Sequence, residues 1–391
     1  MSAAFQYRAL TLSVVIFCAG PASAGDLKIG LIAPFSGPSS DAGGPEMENG
    51  MRAYLKIHGD TVAGRKIVII RKDAPSPAPD VARRLAQELV TRDKVDVLAG
   101  HIFTPTAIAA GQVSTQAKVP MLIMNAATSG ILAKMPYTAR ASFTLAQTTA
   151  PLARWANKNG IKRVVTVVAD YAPGIDSETA FLQELEKNGN SAAGSIRVPL
   201  DTIDFASYIR RIQDTQPGAV FAFLPASDQA KNFIKAFREA GLDKAGVRLL
   251  AEGGMVHPAI SMTLDDDAIG TVSSHHYSDD HQTAVNAAFV AAFKTFSPGG
   301  RAPSYIAVGA YDAMEMLFLA VKMQEGKLDP DRTMQIWREM AWESPRGPVR
   351  FDPASRDIVQ NVYIRKLERK NGALVNVEFE TFANVDAAGR Q

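Results

Sequence analysis

Cysteine is almost absent from the sequence. The chain has 391 residues and a single cysteine, Cys18, which stands in an apolar run near the N-terminus. If that run is removed on export, the remaining chain has no thiol, which excludes disulfides, thiolate metal sites and a cysteine nucleophile. We therefore expect a packed apolar core to provide the stability of the protein.

An excess of charge of either sign is also missing. The 42 Lys and Arg residues nearly balance the 40 Asp and Glu residues, so the formal net charge is +2. The triplet Asp265–Asp267 is the longest run of like charges. This balance argues against a nucleic-acid partner and against attraction to an anionic membrane surface.

Long hydrophobic runs are confined to the N-terminus. The apolar stretch 9–19 has about half of the ~20 residues that span a bilayer, and small residues follow it up to Ala24. This arrangement is typical of a secretory signal peptide, so we predict that residues 1–24 are cleaved and that the mature chain does not insert into a membrane. The bulky Phe17 before Cys18 argues against lipid attachment at that cysteine.

Common catalytic motifs are absent as well. The sequence has no Walker loop, no Gly-x-Gly-x-x-Gly after its first strand, no Gly-x-Ser-x-Gly and no His-Glu-x-x-His. His275 and His276, with His281, form the one histidine cluster, but adjacent side chains of a strand point to opposite faces. We therefore predict no metal site, no cofactor and no enzymatic activity.

Short apolar segments alternate with amphipathic ones along the chain. A strand at 27–33 is followed by a loop and a helix, and similar units recur about every 25 to 30 residues. The pattern restarts near residue 163, then changes after residue 272 to long helices and edge strands. Such a rhythm indicates parallel sheets covered by helices on both faces. We predict an α/β fold with two doubly wound lobes, each discontinuous in sequence.

Polar residues follow two neighbouring strands of the first predicted lobe. Thr104 is a suitable N-cap for the helix after the strand that ends at Ala99, and Pro105 is a suitable first helical residue. The loop after Met124 contains Thr128 and is expected to start a second helix. Because ligands of such folds bind at the carboxyl ends of the strands, these two helix starts predict a carboxylate cradle. Helix capping alone also explains Thr104.

Two residues of the second lobe are predicted to face the same crevice. Tyr171 follows one strand and offers a flat face and a hydroxyl to an organic ligand. Packing between the lobes is its alternative role. Glu252 follows another strand, where it either accepts hydrogen bonds from a ligand ammonium or is an exposed acid at the edge of the crevice.

Seven short segments occur in an order that is specific, although each is weak alone. They are Ile29–Pro38, Asn49–Ala53, Ala63–Lys66, Asp93–Gly100, Asn125–Thr128, Asp170–Gly174 and Gly309–Ala313. Together they resemble the leucine/isoleucine/valine-binding protein family, the type I periplasmic solute receptors of ABC importers. The resemblance covers essentially the whole mature chain.

The resemblance implies two doubly wound parallel-sheet lobes joined by three crossover strands, the type I periplasmic binding protein fold. We place the crossovers near residues 140–145, 273–278 and 344–351. The predicted N-terminal lobe comprises residues 25–142 and 278–347. The predicted C-terminal lobe comprises residues 143–277 and 348–391. In the family, closure of the lobes about these strands traps the ligand.

The resemblance also implies which residues bind the ligand. In amino-acid-binding relatives the carboxylate and ammonium groups are held at positions that fall on Thr104, the loop Ala126–Ala127–Thr128, Tyr171 and Glu252. This chain departs from such relatives where Phe103-Thr-Pro-Thr106 replaces a run of serines.

Part of the sequence looks like family members associated with aromatic carboxylates. The segment 342–348 and the segment 356–363 carry this likeness. In that branch Phe103, Tyr277 and Phe35 are candidates to stack on a ligand ring. A hydrophobic amino acid and a small aromatic acid both stay open as ligands.

We therefore expect an extracytoplasmic solute-binding component of an ABC importer, located in the periplasm. Its expected partners are a small carboxylate ligand and the permease and ATPase subunits of the importer, and we expect a monomer. The alternative is a ligand-sensing module that signals to a membrane receptor.

Overall fold

The computed structural model describes residues 25–187, 189–264 and 266–391. The predicted signal peptide, with Cys18, lies outside these residues. Among the described helices, none is long and apolar enough to cross a membrane.

The described residues form fifteen strands and eleven α-helices. In chain order the first are β1 (Leu27–Ala33), α1 (Gly44–His58), β2 (Thr61–Val62), β3 (Arg65–Asp73), α2 (Pro79–Glu88), β4 (Val97–Gly100), α3 (Thr104–Ala117), β5 (Met121–Ile123) and β6 (Thr138–Arg140). The middle of the chain forms α4 (Leu145–Lys158), β7 (Arg163–Ala169), α5 (Ala172–Glu186), β8 (Ser191–Val198), α6 (Ala206–Thr215), β9 (Ala219–Phe223), α7 (Asp228–Glu239), β10 (Arg248–Glu252), α8 (Pro258–Ser261) and β11 (Val272–His275). The last elements are α9 (Ala284–Lys294), α10 (Tyr305–Met323), α11 (Pro330–Arg338), β12 (Ala341–Ser344), β13 (Gly347–Phe351), β14 (Ile358–Lys370) and β15 (Ala373–Val385).

Six strands form the first sheet, in the order β2-β3-β1-β4-β5-β6. All neighbours pair in parallel except β2 and β3. The strands β1, β4 and β5 are buried on both faces, which explains their almost continuous apolar sequences. We call this sheet, with α1 to α3 and α9 to α11, the first lobe.

Nine strands form the second sheet. The path is β12-β13-β14-β11-β10-β9-β7-β8, and β15 pairs with β14. The strands β7 to β11 pair in parallel, while β12 to β15 add antiparallel pairs at one side. We call this sheet, with α4 to α8, the second lobe.

The chain passes between the lobes three times. It passes from the first lobe to the second after Arg140, and back to the first lobe after His275. It returns to the second sheet ahead of Ala341. The predicted boundary at 347 assigned β12 to the first lobe, whereas β12 pairs with β13 in the second sheet. The other lobe boundaries stay a prediction.

Arg346, in the turn between β12 and β13, connects the second lobe to the first passage and to α10. Its buried guanidinium donates to the carbonyls of Ala141 at 2.6 Å and Ser142 at 3.0 Å, both in the first passage. It also pairs with the buried carboxylate of Asp312 in α10 at 2.9 Å. A buried charge is costly unless it is paired and hydrogen-bonded, so this network holds the backbone between the lobes in a defined path.

Candidate functional site

A pocket lies between the two lobes at the carboxyl ends of their parallel strands. It encloses about 720 Å³ of empty space, part of which is open to solvent. We call it the interlobe pocket. Its lining consists of Ser39, Ala42, Ile102, Phe103, Thr104, Asn125, Ala127, Phe143, Leu145, Tyr171, Pro173, Phe223, Leu224, Pro225, Ala226, Glu252, Gly254, Tyr305 and Ile306.

One end of the pocket is formed by the start of α3. Gly100, at the end of β4, has a φ of +114°, and a Cβ there would lie 2.3 Å from the carbonyl oxygen of Ile32. Only glycine therefore lets the chain turn at this point toward the pocket. The turn leads to Thr104, whose first-turn N–H is not used within the helix and is available to an anion.

The hydroxyl of Thr104 does not cap the helix. Phe103 occupies the N-cap position, and Thr104 is the first helical residue. The Thr104 hydroxyl is instead 2.8 Å from the hydroxyl of Thr128 in the neighbouring loop. The prediction of Thr104 as N-cap was therefore wrong by one residue, and its hydroxyl is positioned at the pocket wall by Thr128.

The second helix start at the pocket is not the one that we predicted. No α-helix begins among the described residues of the loop after β5, which contains only the short 3₁₀ segment Ile131–Lys134. The expected terminus comes from the opposite lobe, where α5 begins immediately after Tyr171 and Pro173 lines the pocket. The N-termini of α3 and α5 therefore face the pocket from different lobes.

Glu252 is the last residue of β10 and forms the other polar end of the pocket. It is 5% exposed, its Oε2 accepts the N–H of Gly254 at 2.8 Å, and its Oε1 has no hydrogen-bond partner among the described residues. Burial raises the pKa of Glu252 to about 7, although the Gly254 N–H and then Arg365 act to lower it. The alternative prediction, that Glu252 is an exposed acid at the edge of the crevice, is wrong, because the pocket wall encloses its side chain.

Aromatic rings form much of the remaining lining. Tyr305, the first residue of α10, lies over the ring of His275 at 4.1 Å between centroids, and it meets Phe143 edge to face at 5.8 Å. In the second lobe, the ring centroids of Tyr171 and Phe223 lie 6.3 Å apart. The pocket therefore combines aromatic walls with polar groups from both lobes, Thr104 and Asn125 from the first and Glu252 from the second.

Two contacts bridge the lobes on either side of the pocket. Asp176 in α5 accepts the N–H of Ser129 at 2.9 Å. Glu46 in α1 accepts the N–H of Ser304 at 2.8 Å, and its other oxygen lies 3.2 Å from Nε2 of His257 in the second lobe, without hydrogen-bond alignment. The lobes are thus in contact around the pocket, as expected of a closed cleft.

Most of the chain matches one known protein family. A model of the periplasmic binding protein family matches residues 26–373. The chain belongs to the periplasmic binding protein family. Its interlobe pocket lies at the carboxyl ends of the parallel strands, where ligands of doubly wound folds bind.

Three relatives of this periplasmic binding protein are informative. A "Leu/Ile/Val-binding protein homolog 6" from Brucella suis is 39% identical over 372 residues, 95% of each chain. A solute-binding protein of an ABC transporter from Rhodopseudomonas palustris BisB5, solved with 3,4-dihydroxybenzoic acid, is 44% identical with a TM-score of 0.88, over 94% of this chain and 99% of the other. Another from R. palustris, solved with 4-hydroxybenzoate, is 38% identical with a TM-score of 0.89, over 93% and 98%.

These findings confirm the main predictions from the sequence. The fold is α/β with two parallel-dominated sheets, and the likeness to solved solute-binding proteins extends over almost the whole chain. The predicted class of function, the solute-binding proteins of ABC transporters, is confirmed by the family and by these neighbours.

Five of the eight predicted site residues meet in the pocket of this periplasmic binding protein. They are Phe103, Thr104, Ala127, Tyr171 and Glu252. Thr128 lies behind the wall and holds Thr104 through its hydroxyl. Ala126 is buried, and its N–H donates to the carbonyl of His101 at 2.9 Å rather than to the pocket.

Two of the predicted aromatic contacts lie elsewhere. Tyr277 is 1% exposed, and its hydroxyl donates to Asn286 at 3.0 Å. Its ring therefore belongs to the core, since α9 packs over it. Phe35 packs against Gly44 and beside Arg71 at the surface of the first lobe.

The histidine pair also differs from the prediction. His276 lies beyond the end of β11, where the alternation of a strand no longer applies, and both rings contact Phe143. Burial lowers the pKa of His275 and of His276 well below the usual value, so both rings are neutral. In the described part of the chain, no group of three His, Cys, Asp or Glu residues is arranged to hold a metal ion.

Several lining residues were missed because they do not follow parallel strands of their own lobe. Phe143 lies in the first passage between the lobes, and Tyr305 begins a helix more than one hundred and sixty positions later in the chain. The signal available for Phe143 was its place in a predicted crossover. Tyr305 had no local signal, because only the packing of α10 brings it to the pocket.

Proposed function

We propose that this periplasmic binding protein binds a small aromatic carboxylate in the interlobe pocket and delivers it to the permease and ATPase subunits of an ABC importer. The sequence left a hydrophobic amino acid and an aromatic acid open. The aromatic lining of the pocket favours the second. Phe143 and Tyr305 on one side and Tyr171 and Phe223 on the other offer faces and edges to a ring, a geometry that favours aromatic pairs beyond area burial alone.

The carboxylate of such a ligand fits the end of the pocket at α3. The first-turn N–H groups of a helix and its positive dipole end favour an anion. Thr104 and Asn125 line the pocket beside this helix start, and hydrogen bonds to a charged partner replace the water that the carboxylate loses. The two R. palustris neighbours were solved with ring acids of this class, which supports the proposal.

The cellular setting follows from the same proposal. We place the mature protein in the periplasm, exported by cleavage of residues 1–24, and we expect it to act as a monomer. A free binding protein needs no further subunit to close a pocket that both of its own lobes supply.

Calorimetry on the purified mature chain tests the ligand class. We expect one molecule of 4-hydroxybenzoate or benzoate to bind per chain. Leucine and isoleucine should bind at least about tenfold more weakly, because they have no ring to pair with the aromatic side chains of the lining. Tighter binding of leucine than of either ring acid contradicts the proposal. Growth on the ring acid after deletion of the gene distinguishes uptake from a purely sensory role.

A further inference from the structure

The end of the interlobe pocket opposite α3 contains a buried carboxyl group, that of Glu252, to which the proposed function assigns no role. Glu252 reaches this end from β10 with Oε2 bonded to Gly254 and with Oε1 left without a partner among the described residues. A buried polar atom without a partner costs free energy, and this one adjoins the space where a ligand sits. An atom of the ligand that forms a hydrogen bond with Oε1 removes that cost.

The groups around Glu252 show what kind of ligand atom fits. On β11, Nε2 of His275 lies 3.5 Å from Oε1, and burial keeps this ring neutral. On β14, the guanidinium of Arg365 lies against Gly253 and donates to the carbonyl of Tyr277 at 2.5 Å. The rings of Tyr305, from α10, and Tyr171, before α5, complete the enclosure.

Binding of a ligand ammonium group at this end of the pocket is unfavourable. It requires an ionised Glu252 and adds a second positive charge near Arg365, whose charge already acts on the Glu252 carboxyl. A hydroxyl group is neutral, needs only one or two hydrogen bonds, and places no charge among the rings of Tyr171 and Tyr305. The polar end is therefore matched to a neutral hydroxyl.

The geometry points to Glu252 as the residue that selects a ring hydroxyl, so that the preferred ligands are hydroxylated benzoates, with Glu252 bound as the neutral acid. This inference rests on the proposed function, because it needs the carboxylate of the ligand at α3. His275 lies 3.5 Å from Oε1 without hydrogen-bond alignment and does not line the pocket, so the ligand contact falls to Glu252.

A protonation change accompanies binding in this arrangement. In the closed cleft, burial raises the pKa of Glu252 from the ordinary 4.5 to about 7. Separation of the lobes removes Tyr305 from the carboxyl and lets water reach it, which returns the pKa toward the ordinary value. Closure on a hydroxybenzoate then takes up close to one proton near pH 6, and about half a proton at pH 4.5 and at about pH 7.

The first test measures the preference for 4-hydroxybenzoate over benzoate by calorimetry, in the wild type and in two variants. The wild type is expected to prefer the hydroxylated acid at least about tenfold. Glu252→Gln retains a hydrogen-bonding group and keeps most of the preference, whereas Glu252→Met reduces it to about twofold. The preference is the ratio of the two affinities of the same variant. A general loss of closure lowers both affinities by the same factor and therefore does not change this ratio. A Glu252→Met protein that keeps the preference overturns the inference.

The second test measures proton uptake at pH 6 from binding heats in two buffers with different ionisation enthalpies. The wild type is expected to take up close to one proton with 4-hydroxybenzoate, and Glu252→Gln none. Asp279→Asn is the matched control, because burial also raises the pKa of Asp279 but that residue does not line the interlobe pocket. If the wild type takes up no proton on binding, Glu252 is not bound as the neutral acid and the inference is overturned.

Which ligands bind distinguishes failure of the inference about Glu252 from failure of the proposed function. If both ring acids bind but the wild type does not distinguish them, the inference about Glu252 is wrong and the proposed function stands. If leucine binds instead, and Glu252→Gln abolishes that binding, Glu252 holds an ammonium and both proposals are overturned.

Discussion

At the scale of single residues, the hydroxyl of Thr104 is the clearest contact to test. It lies 2.8 Å from the Thr128 hydroxyl and lines the pocket beside the start of α3. Thr104→Val removes the hydroxyl but keeps the shape of the side chain. We expect the affinity for benzoate to fall by about 1.5–3 kcal/mol, the worth of a hydrogen bond to a charged group, as measured by calorimetry.

Thr106→Val is the matched control for this change. Thr106 lies in the same helical turn and is equally buried, but its hydroxyl donates to the carbonyl of Phe103 at 2.7 Å and does not line the pocket. It should lower the free energy of unfolding by about 1 kcal/mol and leave the affinity unchanged. Equal affinity losses in the two variants speak against a ligand contact at Thr104.

At the scale of secondary-structure elements, the first lobe depends on the close approach of α1 and α10. A Cβ at Gly50 in α1 would lie 2.2 Å from the carbonyl oxygen of Ala307 in α10. Alanine gains up to about 1 kcal/mol over glycine within a helix, but overpacking against rigid backbone costs about 1–3 kcal/mol or more. We therefore expect Gly50→Ala to reduce the free energy of unfolding in urea.

A second glycine provides the comparison for this prediction. A Cβ at Gly218, ahead of β9, would meet its nearest atom at 3.6 Å, an ordinary contact. Gly218→Ala should leave the free energy of unfolding within about 1 kcal/mol of the wild type. If Gly50→Ala is as stable as Gly218→Ala, the two helices do not pack as closely as described.

At the scale of the whole molecule, contacts between the lobes set how much of the protein is closed. The N–H of Ser129 donates to Asp176 across the cleft, and Asp176 does not line the pocket. Asp176→Ala removes this bridge, worth about 1–2 kcal/mol. Because apparent affinity scales with the fraction of binding-competent protein, we expect affinities for 4-hydroxybenzoate and benzoate to fall by the same factor, about 5–30-fold.

Two measurements check this expectation. Calorimetry gives the two affinities, whose ratio should match that of the wild type, and small-angle scattering without ligand should show a larger radius of gyration if the open form gains population. A loss confined to one ligand would show that Asp176 acts on the ligand and not on closure.

The sequence by itself determined the local structure and the strand-end residues of the site. Apolar strands buried on both faces and amphipathic helices have different periodicities, so the two-lobed α/β fold could be predicted. Thr104, Tyr171 and Glu252 were found because each lies at or just after the end of a parallel strand, and strand ends meet at one edge of a sheet.

Only the tertiary structure decided which side chains surround the ligand and in what state. Tyr277 lies ahead of α9 and Tyr305 is the first residue of α10, yet packing brings Tyr305 into the pocket and buries Tyr277 beneath α9. The raised pKa of Glu252 likewise comes from enclosure by residues far away in the chain. Burial depends on how the two lobes fit together, and no local pattern encodes that fit.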